Sequence, residues 1–73
     1  MKFKRDMALK DWKKREIERI GLEFSKNRKK ILITFKKTYT QVEIFVDGHY
    51  EENEVLHSKT QAIAYAKRYM RNN

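Results

Sequence analysis

The chain has 73 residues, 18 Lys/Arg against 10 Asp/Glu, a formal charge of +8, and neither cysteine nor proline. The absence of cysteine excludes disulfides and thiolate metal sites, and a chain this short buries only about 60% of its unfolded surface. Its apolar runs are too short to span a bilayer, and its basic N-terminus lacks the apolar segment of a signal peptide. We therefore expect one small cytoplasmic domain, residues 1–73, that does not associate with membranes.

The positive charge is unevenly distributed along the chain. Residues 1–37 carry +9 and residues 57–73 carry +4, whereas residues 38–56 carry −5. A basic excess at both ends predicts a polyanionic partner, and the acidic middle should face away from it. A lysine-rich surface without a specific partner is the alternative.

The first 20 residues are predicted to form a mobile basic arm, residues 1–5, and an amphipathic helix, about residues 6–20. Along that helix, charges of both signs surround a narrow stripe at helical spacing. The stripe consists of Leu9, Trp12, Glu16, Ile17 and Ile20. We interpret Trp12 as a core residue, with a partner-binding role as the alternative. Gly21 either ends the helix or lies within a longer one, although residues 22–24 also alternate like a strand.

Residues 25–30 are predicted to form a basic loop, and three strands follow at about residues 31–36, 39–46 and 49–56. The strongest signal is Asp47-Gly48, which is typical of a type I′ hairpin turn with positive φ at both central residues. That turn predicts the pairs Val46–His49, Phe45–Tyr50 and Ile44–Glu51. A two-residue turn at Lys37-Thr38 predicts the pairs Ile33–Val42 and Ile31–Ile44.

This register assigns the side chains to the two faces of the sheet. The predicted core face carries Ile31, Ile33, Phe35, Val42, Ile44, Val46 and Val55. The predicted outer face includes the acidic residues Glu43, Glu52 and Glu54 and the aromatic residues Tyr39, Phe45 and Tyr50. A shift of one residue would exchange the two faces.

A second helix is predicted at about residues 59–71. Ser58 and Gln61 have the spacing of a capping box, which marks a helix start. The predicted fold class is α+β in the order α-β-β-β-α, a three-stranded antiparallel sheet with helices packed on one face.

The sequence predicts a binding module and not an enzyme. Its two glycines are too few for a glycine-rich phosphate loop, and it has two histidines. No serine lies in a recognisable Ser-His-acid arrangement, and no carboxylate pair has metal-ligand spacing. We therefore expect no catalytic residue, no metal and no cofactor.

The junction before the second helix resembles a known pattern. Six residues match it: Leu56, Ser58, Lys59, Ala62, Tyr65 and Ala66. The segment resembles the strand-to-helix junction of the three-stranded, AP2-like arm-type DNA-binding domains of phage and transposon integrases. That resemblance implies DNA binding through the exposed sheet face, in a viral or mobile-element protein. Ser58, Lys59 and Ala62 also match the Ser-Lys-Lys-x-Ala-Lys signature of the double-stranded RNA-binding domain, which would imply an RNA ligand.

Taken with the charge distribution, these features predict a nucleic-acid-binding protein, with duplex DNA favoured over RNA and held through phosphates. The predicted contact residues are Lys26, Arg28, Lys29, Lys30, Lys36, Lys37, Lys59, Lys4 and Arg5. Tyr39, Phe45 and Tyr50 are predicted to stack on bases or to form an interface. The alternative is a small protein-binding module or a homodimer, which the acidic middle and these aromatic residues favour.

Overall fold

The computed structural model describes residues 11–72, which form five strands and one helix. The elements are β1 (Lys13–Ile17), β2 (Gly21–Lys26), β3 (Lys29–Phe35), β4 (Thr40–Val46), β5 (His49–Leu56) and α1 (Lys59–Asn72). The strands form one sheet in the order β1-β2-β3-β4-β5, and all neighbouring strands are antiparallel. The helix covers one face of this sheet, which we call the helix side, and the opposite face is the outer face.

The predicted fold class is wrong, because the sheet has five strands instead of three and the described residues contain one helix. The part of the predicted first helix from residue 11 onward includes β1, and β2 follows directly. Residues 6–10 of that helix, and the predicted arm at residues 1–5, lie outside the described residues. Burial of alternate residues makes β2 a strand, since Leu22 and Phe24 both enter the core beside β3, and β1 becomes a strand by pairing with β2. This burial outweighs the weak helix propensity of a charged segment.

The predicted pairing of β3 with β4 is confirmed, with Ile33 opposite Val42 and Ile31 opposite Ile44. The Asp47-Gly48 turn is confirmed as well. Both residues have positive φ, 55° and 80°, as a type I′ turn requires.

The pairing of β4 with β5 follows the prediction for two residue pairs and then departs from it. Val46 pairs with His49 and Phe45 with Tyr50, but Ile44 lies opposite Glu52 instead of Glu51. Glu51 is therefore the extra residue of a β-bulge.

The bulge exchanges the two faces of β5 beyond it. Glu52 and Glu54 pair with the buried residues Ile44 and Val42, so they lie on the helix side. Val55 pairs with Gln41 on the outer face and is 53% exposed. The predicted positions of Glu52, Glu54 and Val55 are therefore wrong, because the β-strand period of two converts one inserted residue into a change of face.

The core lies between the sheet and α1. Three small or flexible side chains of the helix, Ala62, Ala66 and Met70, are buried against the central strands. Trp12 is 6% exposed, and its ring meets that of Tyr69 edge-on, with the centroids 6.3 Å apart. The interpretation of Trp12 as a core residue is thus confirmed.

The helix begins where the capping pattern predicts. The Gln61 backbone N–H donates to Ser58 Oγ at 3.2 Å, and the Ala62 N–H donates to the Ser58 carbonyl at 3.1 Å. No helix within residues 11–72 is long and apolar enough to cross a membrane.

Candidate nucleic-acid interface

The meander brings the β2–β3 and β4–β5 turns together at one end of the sheet, which we call the turn end. The Asp47 N–H donates to the Arg28 carbonyl oxygen at 2.8 Å. The Arg28 Nε and the Asp47 Oδ1 lie 3.6 Å apart, and both side chains are well exposed. The two turns therefore support one surface.

Four of the predicted contact residues gather at the turn end: Lys26, Arg28, Lys29 and Lys30. The predicted basic loop is wrong, however, because β2 extends to Lys26 and β3 begins at Lys29. Only Asn27 and Arg28 form the turn, with Asn27 at a φ of 53°. Asparagine tolerates the left-handed region better than most residues, so Asn27 was the local signal for this hairpin.

A fifth cation joins this group from β1. Lys13 pairs with Ser25, which pairs with Lys30, so the two lysines lie in one row across the outer face. Lys13 is not among the predicted contact residues, because it lies in the segment that was predicted to be a helix. We call these five cations the basic cluster: Lys13, Lys26, Arg28, Lys29 and Lys30.

Among residues 11–72, few acidic residues lie near the basic cluster. Asp47 faces Arg28, and Asp11 borders a groove that it shares with Lys13 and Lys26. On the outer face, Glu23 is mostly buried beneath two cations, since it forms ion pairs with Arg15 and, at 3.5 Å, with Lys30. The turn end therefore keeps an excess of positive charge.

The same row continues into two of the predicted aromatic residues. Lys30 pairs with Phe45, and Phe45 pairs with Tyr50. The Phe45 and Tyr50 rings pack edge-on at 5.6 Å, and Tyr50 is 53% exposed. We call the five side chains the turn-end row: Lys13, Ser25, Lys30, Phe45 and Tyr50.

The remaining described contact residues lie at the opposite end of the sheet, which we call the loop end. Lys36 and Lys37 follow β3 and stand about 20 Å from Lys30 along the strand. Lys59 begins α1, and its Nζ lies 4.6 Å from the centroid of the Phe35 ring. The loop end thus holds a second basic group, together with the exposed Tyr39. Lys4 and Arg5 lie outside the described residues.

The acidic residues concentrate on the edge strand β5. Tyr65 Oη donates to Glu52 Oε1 at 2.6 Å. This hydrogen bond, assisted by burial and by the charges of Glu52 and Glu54, raises the pKa of Tyr65 to about 12, whereas Arg68 acts in the opposite direction. Burial likewise raises the pKa of Tyr69. The β5 edge is therefore unsuited to a polyanion.

Comparison with protein-family models, with curated proteins and with solved structures gave no match for this chain. The resemblances to integrase arm-type domains and to double-stranded RNA-binding domains remain predictions.

Proposed function

We propose that the protein binds nucleic acid through phosphate contacts at the turn end. The observation that carries this proposal is the basic cluster, five cations that a two-residue hairpin turn and three neighbouring strands hold together. Within residues 11–72, three acidic residues lie beside them: Asp11, Glu23 and Asp47. Duplex DNA is the ligand that the sequence favours. Phosphate contacts of this kind serve duplexes and single strands alike.

Arg28 is the principal phosphate-binding residue in this proposal. Its side chain is 84% exposed, and its ion pair with Asp47 is a surface pair worth at most about 1 kcal/mol. A phosphate can therefore replace Asp47 at little cost. The planar guanidinium offers two parallel N–H donors to phosphate oxygens, which a lysine does not.

The test is a salt titration of binding, measured by fluorescence anisotropy with labelled duplex DNA, duplex RNA and single strands. If the basic cluster neutralises about five phosphates, log K falls with log salt at a slope near −4.5 on duplex DNA. Replacing Arg28, Lys29 and Lys30 with alanine should flatten this slope by about two to three units.

The loop end provides a matched control with the same loss of charge. Replacing Lys36, Lys37 and Lys59 with alanine should change the slope by less than about one unit. The Glu51→Gln variant should bind as well as the unmodified protein or better. A slope near zero in the unmodified protein, or an equal loss in both triple variants, would contradict a phosphate site at the turn end.

The second candidate function is self-association through the sheet edges, which are charged with opposite signs. The β1 edge carries Lys13, Lys14 and Arg15, whereas the β5 edge carries Glu51, Glu52 and Glu54. Each edge repels its own copy and attracts the other, so the edge backbone groups that no strand within residues 11–72 pairs can pair head to tail. Light scattering at low and high salt tests this candidate function. A monomer at both salt concentrations would exclude self-association through the edges.

A further inference from the structure

A groove with an apolar floor and a cationic rim opens on the outer face beside the basic cluster. Its volume is about 410 Å³, within the usual size range of small-ligand sites. Two of its lining residues are apolar, Leu32 and Phe45, and we call them the floor. Two are cations of the turn and of the outer face, Arg28 and Lys30, and we call them the rim. Phosphate binding alone needs the rim and leaves the apolar floor without a role.

The polar residues of the groove suit a ligand with hydrogen-bonding edges. Ser25 and Asn27 both line it, and the Asn27 amide can donate and accept. Gly48 lies at the groove wall, and a methyl group at its Cα would meet no atom within 4 Å. The mouth of the groove is therefore open at the β4–β5 turn.

The charges around the groove restrict how a polyanion can lie on this face. The turn-end row contains no acidic residue, whereas the next row across the sheet contains Glu23 and Glu43 with one cation, Arg15, which pairs with Glu23. A polyanionic strand is therefore favoured along the turn-end row, across the β-strands, and disfavoured in the middle of the face. Tyr50 and Lys13 mark the two ends of this path.

We propose that the groove binds an unpaired nucleotide of a DNA or RNA strand, an inference that rests on the proposed function. The base packs against Phe45 and Leu32, and its phosphates lie at Arg28 and Lys30. Base stacking on aromatic side chains tolerates any sequence and contributes about 5- to 150-fold in affinity per base. A base inside a duplex has both faces covered by its neighbours and cannot enter the groove. The groove therefore reverses the preference for duplex DNA that the sequence alone predicts, and single strands bind more tightly than duplexes of equal charge.

The experiment changes the ligand and leaves the protein intact. Binding of the full chain is measured by fluorescence anisotropy with a labelled DNA single strand and with a strand of the same length made of abasic nucleotides. Both strands carry the same phosphates, so the proposal expects about 5- to 150-fold weaker binding of the abasic strand. An RNA strand and a DNA duplex of equal length form the other two arms.

The protein variants then locate the base. Phe45→Leu keeps an apolar side chain at a half-buried position, and it should remove most of the difference between the normal and the abasic strand. Tyr39→Leu is the matched control, because Tyr39 is an exposed aromatic residue at the loop end. It should leave that difference unchanged. Circular dichroism shows whether each variant is folded, and the comparison of the two strands holds for the unmodified protein in any case.

The outcomes separate the inference from the proposed function. Equal binding of the normal and abasic strands, with a steep salt slope, would contradict base binding in the groove and leave the proposed phosphate binding intact. Weak binding of every nucleic acid at low salt would overturn both. Displacement of the strand by an acidic peptide of equal charge at equal concentration would show that the site binds any polyanion. It would also contradict binding of an unpaired nucleotide in the groove.

Discussion

Gly21 is the position at which the sheet tolerates no side chain. A Cβ at this residue would lie 2.0 Å from the carbonyl oxygen of Ile33, a backbone atom that cannot move alone. We expect Gly21→Ala to lower the free energy of unfolding by about 3 kcal/mol or more, or to prevent folding. Urea denaturation followed by circular dichroism measures this loss.

Gly48 serves as the comparison for that substitution. Its φ of 80° requires the left-handed region, but the space around it is open. Asparagine adopts this region readily, so Gly48→Asn should cost less than about 1 kcal/mol. Equal stability of the Gly21→Ala variant and the unmodified protein would show that β2 and β3 do not approach as closely as described.

The hydrogen bond between Tyr65 and Glu52 predicts a dependence of stability on alkaline pH. The pKa of Tyr65 is raised to about 12 in the folded protein from an ordinary value of 10. The neutral phenol is therefore favoured by folding, and its contribution is present below pH 10 and is lost as the pH rises toward 12. The advantage of the unmodified protein over Tyr65→Phe should shrink across that range, as measured by urea denaturation at each pH.

The partner residue provides the control for this prediction. Glu52→Gln removes the carboxylate that is the largest cause of the shift, so the pKa of Tyr65 should return toward 10. The ultraviolet difference spectrum between the unmodified protein and Tyr65→Phe isolates the titration of this one tyrosine. An ordinary pKa for Tyr65 in the unmodified protein would show that the hydrogen bond is absent in solution.

At the scale of elements, the bulge in β5 can be removed by deleting its extra residue. Deletion of Glu51 leaves Phe45 opposite Tyr50 and Ile44 opposite Glu52, so every described pair of this hairpin survives. We expect the shortened protein to fold, with a change in stability of less than about 1 kcal/mol. The midpoint of urea denaturation measures this change.

Deletion of Asn53 is the matched control, because it also removes one exposed residue from β5. It shifts the following residues by one position, so Glu54 moves to the outer face and Leu56 leaves its place opposite Thr40. This deletion should be clearly more destabilising than that of Glu51. A larger loss of stability on deletion of Glu51 than on deletion of Asn53 would show that the bulge does not lie at Glu51.

The elements that the sequence predicted well are those with a local chemical signal. Asp47-Gly48 defines its turn by backbone sterics, Ser58 starts the helix by capping, and the β-branched residues of β3 favour a strand on their own. β1 has no such signal, because its charged residues become a strand only through pairing with β2. The bulge at Glu51 has no local sequence signal either. One exposed glutamate among several gives the same sequence pattern whether it is paired across the sheet or is the extra residue of a bulge.

The candidate site was predicted in part for the same reason. The cations of residues 26–30 are adjacent in sequence, so their grouping needs no tertiary information. Lys13 reaches them only through the β1–β2 and β2–β3 ladders, and the separation of Lys36 and Lys37 from them depends on the direction of β3. The groove floor at Leu32 and Phe45 likewise depends on the pairing of neighbouring strands.

For the whole molecule, the opposite charges of the two sheet edges predict a defined pattern of association. A variant with Glu51→Lys and Glu54→Lys has two basic edges, and one with Lys13→Glu and Lys14→Glu has two acidic edges. Self-association through the edges should fail in each variant alone and return when the two are mixed, because each mixed contact joins opposite charges. Sedimentation velocity at low salt measures the species formed.

The mixing experiment needs a control for attraction between oppositely altered proteins in general. A variant that combines Glu51→Lys and Glu54→Lys with Lys36→Glu and Lys37→Glu carries the same acidic change at the loop end and keeps two basic edges. Mixed with the variant that has two basic edges, it should form no larger species. Equal association in both mixtures would show that net charge, and not edge pairing, causes it.

The order of the strands also determines how the chain reaches its native state. Every strand pairs with its immediate neighbour in sequence, so each hairpin closes a short loop, and within residues 11–72 the packing of α1 is what joins distant segments. Folding should therefore be fast for a sheet protein, because contacts of low sequence separation cost little entropy before they form. The chain has no proline, so refolding should lack the slow phase that peptide-bond isomerisation causes. Stopped-flow refolding should show a single exponential, and a minor phase of tens of seconds would indicate association or misregistered hairpins instead.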